Sequence, residues 1–334
     1  MLTIGNFTIF ATMNKIKTKY NRYKRIYKIL IAKLVRLLRI VKLPGFEGMP
    51  LYDVLVYFVN GFTKGYLLDR AAAVAFNVFL AIFPAVMVLF TIIPYLHINE
   101  AYEVLLNTLS DMLPGEAYGL VETTITEIVS IERGGLFSIG ILLAFYFSIS
   151  AVTAFFRGFD MSVNRIGSMS WFQKQFNAAF VMIILVVLLI SSTVLIAMGN
   201  TVISKVFVEI DISNKFVIFI TKLIQWLLTV FMLLVAVSVL YYFANPKRIR
   251  FKIFTPGSLL FTGLFIVGTI AFKVYINNFS RYNALYGSIG GLLIFLLWMY
   301  FNCILILIGY ELNISIAMVK QKGNNDTIFV EDLK

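Results

Sequence analysis

"YGSIGGLLIFLLWMYFNCILILIGYELN", residues 286–313, is apolar almost without interruption until Glu311. A backbone inside hydrocarbon has no water to bond, so a run of this length satisfies its own N–H and C=O groups only as a helix. Crossing a hydrocarbon core of roughly 30 Å takes about 20 residues. From Tyr286 to Glu311 the helix would measure about 38 Å at 1.5 Å per residue. Glu311 is therefore expected near an interface and not at the bilayer centre, where an unpaired carboxylate is costly.

Five further runs of comparable length lie upstream, at about 71–93, 136–156, 178–199, 220–244 and 256–275. The fifth opens with Thr255 as an N-cap and Pro256 at the first helical position. Strands of a transmembrane barrel would alternate apolar and polar residues over about 10 positions, and that alternation is absent. The expected fold is all-α: a polytopic membrane bundle of six transmembrane helices with interfacial amphipathic helices. Composition agrees, since 60% of the residues are hydrophobic, 14% are charged and the mean hydropathy is +0.88.

Counting residues excludes several kinds of chemistry. One cysteine, Cys303, rules out a disulfide framework or a thiolate metal cluster within the chain. One histidine, His97, rules out a hydrolase built on several imidazole ligands. There is no G-x-x-x-x-G-K-[ST] loop and no H-E-x-x-H pair. No cofactor, no metal and no catalytic set is expected.

The net charge of +12 is concentrated toward one end. Residues 14–43, "NKIKTKYNRYKRIYKILIAKLVRLLRIVKL", interleave Lys and Arg with Ile, Leu, Val and Tyr at helical spacing. Such a segment suits an anionic lipid surface, each nearby cation contributing about 1 kcal/mol. RNA is the alternative partner for this arm, but no nucleic acid is expected. Met13 opens "MNKIKTKYNRYKR" and is an alternative start. Lys and Arg number 23 in the segment before the first span, the second–third and fourth–fifth connections and the tail, against 5 on the opposite side. The positive-inside rule then places both termini in the cytoplasm. On the other side, residues 97–135 carry seven carboxylates and two helical apolar patterns separated by Pro114-Gly115. Residues 50–68 read as an interfacial helix weakened by Gly61 and Gly65.

Charged groups near the inner interface are the first candidate site. Asp69 and Arg70 enter the first span, Arg157 and Asp160 leave the second, and Glu311 and Asn313 end the sixth. Glu311 is expected to pair with Arg70 or Arg157, either as a structural clasp that fixes helix rotation or as an inner gate or headgroup site. A second candidate is Asn77 with Pro84, where a proline frees a carbonyl of the first span. A kinked, partly unwound helix there would suit a transport pathway, but such a kink is more commonly a packing feature. Gly287, Gly290 and Gly291 offer small residues for a close helix crossing.

The segments "DRAAAVAFNVFLAIFPAVMVLF" (69–90) and "GGLFSIGILLAFYFSISAVTAFFRGFD" (134–160) resemble the opening spans of the YihY/BrkB membrane protein family. Residues 256–313 are similar to its closing signature, carried by Pro256-Gly257, Tyr286-Gly287-Ser288, Leu297-Trp298-Met299-Tyr300 and Gly309-Tyr310-Glu311-Leu312-Asn313. The family usually has alanine before the glutamate, and Tyr310 stands there in this chain. The resemblance implies a bacterial cytoplasmic-membrane protein with six spans. Members have carried the label ribonuclease BN. A single histidine and no cytoplasmic acidic cluster argue against that activity, so no enzyme is expected.

The expected division is a basic membrane-surface segment (1–49), a six-span membrane domain (50–318) and a loose polar tail (319–334). Two functions fit. One is transporter-like movement of lipids or another amphipathic or small solute without ATP. The other is a non-transporting envelope scaffold or biogenesis factor. Partners would be membrane lipids, through their anionic headgroups, and envelope proteins.

Overall fold

The computed structural model describes residues 32–92, 134–164, 167–209, 215–246, 251–278 and 288–331. Among the described residues there are eight helices and no strand. They are α1 (32–40), α2 (Leu51–Lys64), α3 (Leu67–Ile92), α4 (Gly134–Asp160), α5 (Trp171–Glu209), α6 (Lys215–Ala244), α7 (Pro256–Asn278) and α8 (Ser288–Glu331). The pattern expected for residues 97–135 falls outside the described residues, apart from the start of α4.

Six helices are long and apolar enough to cross a membrane, over Leu67–Ala85, Ile139–Asp160, Trp171–Leu195, Phe219–Ala244, Pro256–Ile276 and Gly290–Lys322. Between 17% and 33% of each apolar window is buried within the chain. Most of each helix surface is therefore left for lipid, and large side chains such as Phe76, Leu142, Phe180, Leu189 and Val267 face outward.

Two compact units are present, Met1–Val59 with Ser315–Lys334, and Asn60–Ile314. Within the larger unit α3 packs on α4, α4 on α5, α5 on α6 and α6 on α7. The core repeats at helical spacing: Leu67, Ala71 and Val74 on α3, Val152, Phe156 and Phe159 on α4, and Cys303, Leu307 and Tyr310 on α8. Lipid tails are as apolar as leucine, so these helices gain little by hiding apolar surface from lipid. Close backbone approach and interhelical hydrogen bonds hold them instead.

A close backbone approach lies between α7 and α8. A Cβ on Gly257 would overlap the Gly309 carbonyl oxygen, and one on Gly309 would overlap the Tyr241 hydroxyl. The N-terminus of α7 is built as expected. The Ser258 N–H donates to Thr255 Oγ1 (3.1 Å), and Ser258 Oγ returns to the Ile253 carbonyl (3.0 Å).

Three expectations change. Helix α3 runs continuously through Pro84, and Asn77 Nδ2 donates to the Ala73 carbonyl of its own helix (2.8 Å). The backbone stays helical where a kinked, partly unwound segment was one of the two readings. Gly287 lies outside the described residues and Gly290 is buried, but Gly291 is exposed with open space where a Cβ would stand. The close crossing of α8 is made at Gly309 instead. Finally, α8 continues as helix through the polar segment to Glu331.

Replacing Gly257 by Val should lower unfolding stability by about 3 kcal/mol, because backbone must move to admit the side chain. The Gly291→Val control should melt with the unaltered protein. Thermal denaturation of detergent-solubilised protein, followed by loss of the monodisperse species, measures both.

Candidate functional site

A short stretch of α8, inside its candidate membrane span Gly290–Lys322, carries Gly309, Tyr310, Glu311 and Asn313. Successive helical residues point about 100° apart, so this short stretch faces several neighbours at once. The neighbours it meets define the site.

Glu311 has no solvent exposure. Its Oε1 accepts from Ser162 Oγ (2.8 Å) and Asn164 Nδ2 (3.0 Å), and its Oε2 faces Arg70 Nη2 (3.4 Å). Moving a carboxylate out of water costs several kcal/mol even after relaxation. The arrangement meets that cost with a full positive charge and two neutral donors. Room for the carboxylate comes from α2, where a Cβ on Gly61 would occupy the position of the carboxyl group. The glycine that weakens α2 thus lets Glu311 be buried.

Arg70 is itself buried, and its Nη1 donates to the Gly158 carbonyl (3.0 Å). Gly158 lies in the last turn of α4, whose final carbonyls have no partner within the helix. A guanidinium there both satisfies an acceptor and complements the negative end of the helix dipole. Beyond α4 the chain turns sharply, with Ser162 N donating to the Phe159 carbonyl (3.1 Å) and Asn164 N to Ser162 Oγ (3.1 Å). This turn aims both side chains at Glu311.

An aromatic cluster lies on the apolar side. Phe159 stacks on Tyr310 with centroids 4.0 Å apart, and Tyr241 meets both rings edge-on at 5.9 and 5.8 Å. Tyr241 Oη donates to the Ile306 carbonyl (2.7 Å) and is also bonded by the backbone of Tyr310. The hydroxyl has one hydrogen, already given to Ile306, so it accepts from the Tyr310 N–H. Ile306 and Tyr310 are the i and i+4 positions whose groups normally bond each other. The Tyr241 hydroxyl therefore sits against this turn of α8, one residue before Glu311, and the absence of a side chain at Gly309 leaves it room. On the opposite flank Asn313 Oδ1 accepts from the Gly257 N–H (2.8 Å) and Asn313 Nδ2 donates to Thr255 Oγ1 (3.0 Å).

The expected group of charges therefore divides. Arg70 and Glu311 come together. Arg157 is exposed, because it follows Phe156, which points into the core, by one helical step. Asp69 is exposed for the same reason beside buried Arg70. Asp160 pairs with Lys174 on α5, and Asn313 serves the start of α7. Sequence reading did not find Ser162, Asn164, Gly61 or Tyr241. The S-x-N spacing after a helix end was the available signal for the first two. Two further polar links join α5 to its neighbours: Thr153 Oγ1 to Gln175 Oε1 (3.1 Å), and Asn177 Nδ2 to the Phe243 carbonyl (3.3 Å). Among the described residues no group of His, Cys, Asp and Glu is placed to hold a metal ion.

The profile of the family described as Virulence factor BrkB matches residues 58–328. The chain is 26% identical over 245 residues to the ribonuclease-like protein YfkH of Bacillus subtilis, covering 73% of this chain and 88% of that one. It is 28% identical over 260 residues to a UPF0761 membrane protein of Mannheimia succiniciproducens, covering 76% and 86%. A UPF0761 membrane protein of Actinobacillus pleuropneumoniae is 26% identical over 264 residues, covering 76% and 91%. No solved structure matches.

Arg70→Met should destabilise the protein by about 3–5 kcal/mol, since it leaves the Glu311 charge buried without its cation. The Arg70→Met/Glu311→Met double variant should recover at least half of that loss. Tyr241→Phe, which removes only the hydroxyl bond to the Ile306 carbonyl, should cost about 1 kcal/mol. Chemical denaturation in detergent, read by circular dichroism, compares the three.

Proposed function

We propose, for a chain that belongs to the Virulence factor BrkB family and is an integral membrane protein, that it moves lipids or another amphipathic small solute without ATP. In this reading the Arg70–Glu311 pair is the inner lock of the pathway, on the cytoplasmic side.

The observation that supports the reading is how each charged partner is held. The Nη2–Oε2 distance of 3.4 Å is longer than the roughly 2.7–2.9 Å of a strong charge-assisted bond. Each group also has another bond when the pair is parted. Glu311 retains Ser162 and Asn164, and Arg70 retains the Gly158 carbonyl. Arg70 Nε is buried with no hydrogen-bond partner among the described residues. A buried pair is often no more stabilising than apolar residues of equal volume. A pair that opens while leaving each partner bonded suits a contact that is made and broken.

Without a nucleotide-binding loop, direction would come from the gradient of the moved species. The second reading, a non-transporting envelope scaffold, rests on the same turn of α8 reaching α3, α6, α7 and the segment after α4, which would also serve a bundle that never opens. The ribonuclease-like name of one relative raises RNA cleavage as a third. Glu311 has no exposed surface from which to reach a phosphodiester.

Reconstitution into vesicles with a headgroup-labelled phospholipid, followed by membrane-impermeant reductant, separates these readings. The unaltered protein should expose label beyond the outer-leaflet fraction. Glu311→Gln, which removes the charge attraction, should change that rate several-fold, and exposed Arg157→Ala should retain it. Monodisperse protein that moves neither lipid nor amphipathic solute under any gradient would overturn transport in favour of the scaffold.

A further inference from the structure

The smaller unit contains a surface that the Arg70–Glu311 site does not use. Helix α1 presents two ridges, each advancing by three residues. Lys33, Arg36 and Arg39 form one, and Leu34, Leu37 and Ile40 form the other. Consecutive positions lie about 100° apart on a helix, so the ridges run side by side. All six side chains are exposed, Leu37 by 58% and Ile40 by 72%, while Val35 and Leu38 are half-buried on the inner side. Lys42 and Leu43 repeat the pairing just beyond the helix and are exposed too.

The surface is held in place. The Leu51 N–H donates to the Val41 carbonyl (3.0 Å), and the Arg39 guanidinium lies 5.1 Å over the Tyr52 ring. Phe46 is buried in the intervening turn, where Gly45 and Gly48 adopt φ of 86° and 82°. Lys320 reaches Glu47 at 2.6 Å, tying the far end of α8 to the same turn. The ridges therefore belong to a built hairpin and keep one orientation relative to α2.

We propose that this hairpin face docks on the interface of a bilayer containing anionic phospholipid. The argument is chemical complementarity on two counts. Three large apolar side chains in water gain by entering the acyl boundary, and the neighbouring cations then lie at the depth of the phosphates. A nucleic acid would engage the cationic ridge but leave the apolar ridge in water. No acidic side chain lies on 32–43 to repel the headgroups. The proposal does not rest on the transport reading.

The test uses full-length protein in lipid nanodiscs. A nitroxide is placed at position 40 (Ile40→Cys, with Cys303→Ala), and at position 37 in a second variant. Its accessibility to oxygen and to a water-soluble nickel chelate is compared in phosphatidylcholine alone and with added phosphatidylglycerol. The oxygen-to-nickel ratio should rise several-fold with the anionic lipid, and Lys33→Gln, Arg36→Gln, Arg39→Gln and Lys42→Gln together should abolish the rise. A label reached by nickel in both lipids would overturn the proposal. So would a label shielded from both reagents, which would mean a protein cover, or an equal ratio in both lipids. A response to added RNA in place of anionic lipid would replace the bilayer with nucleic acid.

Discussion

A carboxylate with no exposure constrains everything placed around it. Water cannot solvate Glu311, so protein groups must, and the arrangement draws them from separate parts of the chain: Arg70 from the start of α3, and Ser162 and Asn164 from the turn after α4. Each donor must arrive with the correct helix rotation and depth. A bundle that satisfies this carboxylate has already fixed α3, α4 and α8 against one another at one end.

That constraint matters more between membrane helices than it would in a water-soluble core. Apolar faces are nearly indifferent to whether they touch lipid or another helix, so shape and hydrogen bonding must select the packing. The same two turns of α8 provide both. Gly309 admits Tyr241 and the backbone of Gly257, Tyr310 stacks on Phe159, and Asn313 closes the N-terminus of α7. Both charges are buried, which strengthens their electrostatic attraction and raises the penalty for any missing partner. Tyr310 supplies the ring that stacks on Phe159.

Stability and opening need not conflict in such an arrangement. Each charge has bonds outside the pair, so parting them leaves neither stripped of contacts. The Tyr241 hydroxyl bonds the Ile306 carbonyl within the α8 turn that leads to Glu311.

The number and length of the spans, the capped start of α7 at Thr255 and Pro256, and the meeting of Arg70 with Glu311 were legible from residue order. Each depends on local apolar length, local capping chemistry or depth along a helix, which a one-dimensional pattern encodes. The assignment of Arg157, the role of Gly61, the Ser162–Asn164 turn and the bond from Tyr241 to α8 were not legible. They depend on helix rotation, where one residue means about 100°, and on partners far away in the chain, such as Tyr241 and Ile306. Sequence alone determined which segments are apolar helices and where along each helix the charges fall. Tertiary packing decided which charges face inward, because only the assembled helices define an inside that lipid does not.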